Sequence, residues 1–342
     1  MQADTPGDIP APTPSPERRS ARRPSTRPRR AARAGGGPSL LAPGAAHDPY
    51  RLYRVLREEY PLCYDAPLGA WLVSRYDDVA TALTDPRFAG YPHDGAPRGG
   101  PAPLGLCHGN FRCLPSDRYT VTTGSVPGHL AERVERTAYV LARRIAARPQ
   151  ADLVEEFCRW LPVGAGAGTG AAGDAPCARR TGLRETALAS FLANLLDDPD
   201  LMAVMRIEPA LAGRAWTESL RRDPPVQVVL RRTVAEVTLS GGTLPPRAPV
   251  ACLIGSAGRD PGRFAAPDVF DPFRRDQDRG TAGPAGCPAV VLGRLEAERG
   301  LRALLDAMPG LRWADGFRPA ATGLLTRGPR SLLVRPQHAR PG

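Results

Sequence analysis

The stretch Gly280-Thr281-Ala282-Gly283-Pro284-Ala285-Gly286-Cys287-Pro288-Ala289 runs straight into Val290-Val291-Leu292-Gly293-Arg294-Leu295-Glu296-Ala297-Glu298-Arg299, and how it is read decides the fold. A loop of small residues delivers one cysteine to a segment in which Val291, Leu292, Leu295 and Ala297 recur at helical spacing. A sulfur at a helix N-terminus meets unpaired N–H groups and the positive end of the macrodipole, and both favour a thiolate. Loop glycines let a flat group approach the backbone closely. Taken alone, a cysteine before a helix is more often a small buried hydrophobe. The residues upstream separate the two readings.

The chain has 342 residues, enough for one large domain or two ordinary ones, with 46 basic against 35 acidic side chains. Every basic residue is Arg, and with 36 Gly and 39 Pro the usage is that of a GC-rich genome. Residues 1–46 hold eight Arg between Arg18 and Arg33 and almost no large apolar side chain, which predicts a disordered Arg/Pro-rich tail. Such an arm suits nucleic acid or an anionic surface, but a merely solvated arm is the commoner case, so nucleic-acid binding is not expected. No apolar run is long enough to span a bilayer and no signal-peptide pattern opens the chain, so a cytoplasmic protein without membrane contact is expected. Seven scattered cysteines without a C-x-x-C pair argue against a disulfide framework and a structural zinc site.

From His47 the pattern is helix, hairpin, helix: Tyr50 to Tyr60, then Leu62–Tyr64 with Ala70–Ser74, then Asp77–Leu83. Residues 90–128 read as an irregular surface loop, and Leu130–Arg148 as an amphipathic helix. The Gly/Ala run over 164–177 lacks a leading strand and a following helix, so it is a linker rather than a dinucleotide loop. Helices are expected over 183–196, 201–207 and 211–222, the last stopped by Asp223-Pro224-Pro225. Strand-like runs follow at 226–229, 234–239 and 250–254. The class is mainly α with small β-sheets (α+β).

The order of signals in the second half is specific. Glu218-Ser219-Leu220-Arg221 on a helix, the Pro-Pro stop, Arg231-Arg232 opening a hairpin, Arg259-Asp260-Pro261, Pro267-x-x-Phe270-x-Pro272-x-Arg274, and Cys287 before Leu-Gly-Arg-Leu-Glu-Ala-Glu together resemble a bacterial, actinobacterial-type cytochrome P-450. Glu218 and Cys287 lie 69 residues apart, close to the family's separation. The resemblance covers residues 185–336 well and 48–88 and 126–163 more loosely. It implies a shortened cytochrome P-450-like haem-thiolate fold over 47–342, with haem b (iron-protoporphyrin IX) as cofactor. Cys287 would ligate the haem iron, Gly283 and Gly286 would line the cofactor loop, and Arg231 or Arg232 would face a propionate. Glu218, Arg221 and Arg274 would form a buried ion triad, and Glu185 with Thr186 would relay protons on the oxygen-activating helix.

The sequence departs from the family pattern in several places. The cofactor loop lacks the flanking Phe and the propionate-binding base, so haem binding is expected to be weak or lost. The His-x-x-x-Arg pair expected between Asp117 and Val126 is absent, leaving Arg118 as the candidate there. The linker over 164–177 stands where the family has its lid helices. Two activities remain open. One is a haem-thiolate monooxygenase acting on an apolar small molecule in secondary metabolism, with a ferredoxin as electron donor. The other is a catalytically inactive relative that stabilises a partner glycosyltransferase.

Overall fold

The computed structural model describes residues 37–90, 128–162, 181–276 and 288–336. Of the expected loop over 90–128, residues 91–127 lie outside the described residues, as do the linker over 164–177 and residues 1–36.

The fold is mainly helical with small sheets. Helix α1 (Tyr50–Glu59) leads into the hairpin β1 (Leu62–Asp65) and β2 (Ala70–Val73), then α2 (Tyr76–Thr84) and β3 (Phe88–Gly90). Helix α3 spans Gly128–Ala146 and is followed by β4 (Ala151–Asp152) and a π-helical turn over Val154–Cys158. Next come α4 (Thr181–Leu196), α5 (Pro199–Ile207) and α6 (Ala212–Arg222), with a 3-10 turn at Pro209–Leu211. Strands β5 (Val228–Thr233), β6 (Val237–Leu239), β7 (Gly242–Leu244) and β8 (Pro249–Leu253) precede the short α7 (Ile254–Ala257). Helix α8 (Pro288–Ala307) is followed by β9 (Arg312–Trp313), β10 (Ala321–Thr322), β11 (Gly328–Pro329) and β12 (Leu333–Arg335).

Five strands form the main sheet in the order β1-β2-β8-β5-β3, in which only β2 and β8 run parallel. Strand β5 differs from the sequence expectation, which broke it after Val229 and restarted it at Val234. Val229, Arg231 and Thr233 are all buried at period-2 spacing, so the strand runs on through the arginines. A charged residue at a core-facing position hides a strand from hydrophobic patterning.

The helical half is organised on α8. This 20-residue helix, about 30 Å long at 1.5 Å per residue, packs on α3, α4 and α6. The close approach is made by small residues: a Cβ added to Gly293 would lie 2.9 Å from the Trp216 ring, and one on Gly300 3.2 Å from Phe157. Buried Leu292, Ala297, Leu301 and Leu304 of α8 join Val134, Ala138, Leu188, Phe191 and Trp216 in one apolar core.

The expected tail boundary at residue 46 is too late. Leu40 is 1% exposed and packs with Tyr53, Leu56 and Leu72. The carboxylate of buried Asp65 accepts from the Ser39 hydroxyl at 2.9 Å, the Leu40 amide at 2.8 Å and the Leu68 amide at 3.2 Å. Ala46 offers its carbonyl to Arg327 at 3.0 Å. One leucine and one serine escape compositional notice, yet they satisfy a buried charge. A protein starting at His47 loses two of the three donors on Asp65 and the Leu40 side chain. Relative to one starting at Gly37, its Tm is expected to fall by about 5 °C or more, from about 2 kcal/mol or more of lost packing and hydrogen bonding; equal melting curves would refute this.

Candidate functional site

Glu218 and Arg221 sit one turn apart on α6, which carries both side chains inward. Arg221 spends all five N–H bonds: Nε donates to Glu218 Oε2 at 2.8 Å and Nη2 to Glu218 Oε1 at 2.7 Å, while the carbonyls of Gly258, Pro267 and Val269 accept at 2.6, 2.8 and 3.1 Å. Arg274 Nε joins the same Glu218 Oε1 at 2.9 Å, and the Asp271 amide donates to it at 3.0 Å. Glu218, Arg221 and Arg274 are thus brought together, with all three buried. Gly258 must be glycine for this arrangement, because an added Cβ would lie 2.1 Å from the Arg221 carbonyl oxygen.

Arg231, on β5 opposite Gly90 of β3, is 5% exposed. Its Nη1 reaches only the Leu230 carbonyl at 3.2 Å, its Nε has no partner among the described residues, and no ion pair forms. Burial lowers its pKa, with the neighbouring Cys252 pulling the other way. Arg232 is half-buried at the next position along the strand.

Glu185 and Thr186 share the first turns of α4 but face different partners. Glu185 lies 3.7 Å from Arg159, and its pKa is raised by burial against that arginine. The Thr186 hydroxyl donates back to the Gly182 carbonyl at 2.8 Å, and its methyl lies against Gly328. Cys287, Gly283, Gly286 and Arg118 fall outside the described residues. Helix α8 begins at the residue after Cys287, as its sequence predicts.

Two features were not singled out from sequence. The His-x-x-x-Arg spacing occurs at His129 and Arg133 on the first turns of α3, just past the window in which it is expected; His129 is exposed and Arg133 half-buried. The second is an ion pair inside the core: Arg184 Nη1 of α4 donates to Glu296 Oε1 of α8, with side chains 4% and 1% exposed. Arg184 lies on the stripe of Leu188, Phe191 and Leu195, and Glu296 on that of Leu292 and Gly300. A charge on each of two apolar stripes is a readable demand for a buried partner.

The sequence pattern of the family described as cytochrome P450 matches residues 212–288, from the first residue of α6 to the first of α8. The chain is similar to the bacterial cytochromes P450. It is 39% identical over 170 residues to Protein DesVIII of Streptomyces venezuelae, covering 47% of this chain and 42% of that one. It is 34% identical over 159 residues to pulcherriminic acid synthase of Bacillus subtilis, covering 43% and 39%. These alignments span about two fifths of the curated relatives' lengths. Among solved structures, the heme domain of CYP116B5 from Acinetobacter radioresistens superposes with a TM-score of 0.71 at 16% identity, over 87% of this chain and 97% of that chain. The fold is that of a P450.

Haem is the cofactor of the P450 family. Arg231 is buried with no acid beside it among the described residues, and a guanidinium so placed fits a carboxylate such as a propionate. Among the described residues no helix is long and apolar enough to cross a membrane.

Glu218→Ala leaves Arg221 and Arg274 as uncompensated buried charges, at about 3–5 kcal/mol, and is expected to remove soluble expression. Arg312→Ala, which breaks the exposed Arg312–Asp315 pair, is expected to change stability by less than about 1 kcal/mol. Similar yields for the two variants would overturn the difference.

Burial pushes the Glu296 carboxyl up to about 7 despite Arg184, the one charge acting on it among the described residues. The folded value lies above the unfolded value of about 4.3, so between the two the folded state holds a proton that the unfolded chain has released. That contribution is complete below the unfolded pKa and is lost as pH rises through the folded pKa. Glu296→Gln is therefore expected to flatten the fall in Tm from pH 5 to pH 8, and an unchanged slope would exclude the assignment.

Proposed function

We propose that the chain is a haem-thiolate protein of the P450 type, with Cys287 as the iron ligand, Arg231 or Arg232 facing a propionate, and haem b held weakly. The family match supports this reading, since its span, residues 212–288, takes in Glu218, Arg221 and Cys287. Bound haem would supply oxygen activation with two electrons from a ferredoxin-type donor, and the substrate would be an apolar small molecule of secondary metabolism. The chain's own residues divide the remaining work. The α8 N-terminus favours the anionic form of the Cys287 sulfur. Arg231, on the strand between β8 and β3, would neutralise a carboxylate of the bound group. The Glu218–Arg221–Arg274 cluster fixes the segment Pro267–Arg274, which leads toward the cysteine loop. Glu185 and Thr186 are the proton-relay candidates.

A second reading, a P450-like auxiliary protein that stabilises or activates a partner glycosyltransferase, is favoured by a specific observation. The Thr186 hydroxyl is turned back onto its own helix and Glu185 is held by Arg159, so neither presents a free proton-transfer group. Similarity to the Streptomyces proteins DesVIII and TylM3 supports it as well.

Purified full-length protein incubated with excess haem, reduced and exposed to carbon monoxide is expected to show the strongly red-shifted Soret band of thiolate ligation. Cys287→Ala is expected to abolish that band, and Arg231→Ala to weaken haem uptake about tenfold or more, the loss of one charge-assisted contact of about 1.5–3 kcal/mol. Colourless protein that ignores haem yet activates a glycosyltransferase would reject the oxygenase reading in favour of the auxiliary one.

A further inference from the structure

The Arg184–Glu296 pair is the one ion pair between α4 and α8 among the described residues, and both side chains are shut away from water. Arg184 Nη2 also reaches the Pro162 carbonyl at 3.5 Å, so one guanidinium touches three segments of chain. Other charged and polar groups on elements packed against α8 are paired too, some of them with α8 itself. Glu135 of α3 pairs with Arg299, Tyr139 with Asp306, Glu155 and Glu185 with Arg159, and Arg214 of α6 with the carbonyls of Pro272 and Arg274. Arg133 of α3 stands half-buried on the adjoining face, and Cys158 is a buried thiol whose pKa burial raises.

A buried ion pair adds little net stability, because desolvation offsets the attraction, yet it penalises every alternative packing that separates the charges. The leucines of the stripe would exchange for one another in a one-turn slide of α8, and two features resist it: the glycine contacts of Gly293 with Trp216 and Gly300 with Phe157, and this ion pair. The same slide would separate Glu296 from Arg184 inside the apolar core. Glu296 lies nine residues beyond Cys287, two and a half helical turns. Whatever fixes the phase of α8 therefore fixes the direction from which Cys287 arrives.

We propose that Arg184 and Glu296 are positioning residues that set the register of α8 against α4 and so determine where Cys287 is presented. The consequence for the iron site rests on the haem reading above; the register itself does not. The pair acts through geometry and touches neither cofactor nor substrate.

The test compares full-length wild type with Arg184→Met/Glu296→Leu, in which apolar side chains of similar volume replace the charges. Three quantities are read: Tm, amide hydrogen exchange over the first two turns of α8, and the reduced carbon monoxide spectrum after incubation with haem. The apolar pair is expected to keep or raise Tm, to exchange about tenfold faster or more over those turns, and to split its Soret absorption between thiolate and non-thiolate bands. A merely structural role would move Tm alone. Unchanged exchange in the apolar pair would overturn the proposal. If that variant does not fold, Arg184→Glu/Glu296→Arg is read instead; restored wild-type exchange supports the proposal, and its failure to restore exchange overturns it. Wild type that takes up no haem, with the exchange difference intact, removes the haem reading and leaves the register claim standing. A thiolate band kept equally by both proteins, with equal exchange, does the reverse.

Discussion

The carboxylate of Glu218 is the constraint on which most of the described structure depends. It is fully buried and receives two guanidinium groups and a backbone amide. Through Arg221 it gathers the carbonyls of Gly258, Pro267 and Val269, which belong to an irregular segment with almost no backbone ladder of its own. Backbone groups that a helix or sheet would satisfy are here satisfied by one side chain. The segment between α7 and Arg274 consequently has a defined path without being regular structure. It is the path that carries the chain toward its cofactor-binding candidate.

Arginine does this work repeatedly because the chain has no lysine. Arg57 joins α1 to Ser256, Arg259 joins Arg222 and Asp223 to Asp268, and Arg327 holds the carbonyls of Ala46 and His47. Each spreads its charge over several acceptors in a planar fork, which a compact ammonium would do less well. Arg231 stands apart from this group. It is as buried as the others but pairs with no acid among the described residues, which is why it is the candidate for an anionic ligand.

Legibility in the sequence followed physical type. Helices α1 to α6 and α8 were readable because their apolar residues recur at helical spacing, and Glu218, Arg221 and Arg274 because their order matched a known family. The small sheets were harder. β5 was interrupted on paper by Arg231 and Arg232, and β4, β9 and β12 are two or three residues long, too short for periodicity to register. The N-terminal boundary was misplaced because Ser39 and Leu40 sit in Gly/Pro/Ala-rich surroundings and are ordered by Asp65, a contact invisible to local composition. The Arg184–Glu296 pair needed both helices in view at once, although each charge was already out of place on its own stripe. His129 and Arg133 were present in the sequence just outside the expected window.

The seating of α8 also shapes how the chain folds. Its partners α3, α4 and α6 are made well before it, and each leaves an apolar face open until the last long helix arrives. Contacts between Val134 and the middle of α8, or between Arg184 and Glu296, join positions far apart along the chain. Loop-closure entropy must be met before such contacts return any stabilisation, which slows closure of the core. During synthesis the early helices wait with a vacant groove, the kind of transient apolar surface that draws chaperones or aggregates. Gly293 and Gly300 leave room in that groove for the rings of Trp216 and Phe157, so the helix that closes it meets no side chain of its own at those two points.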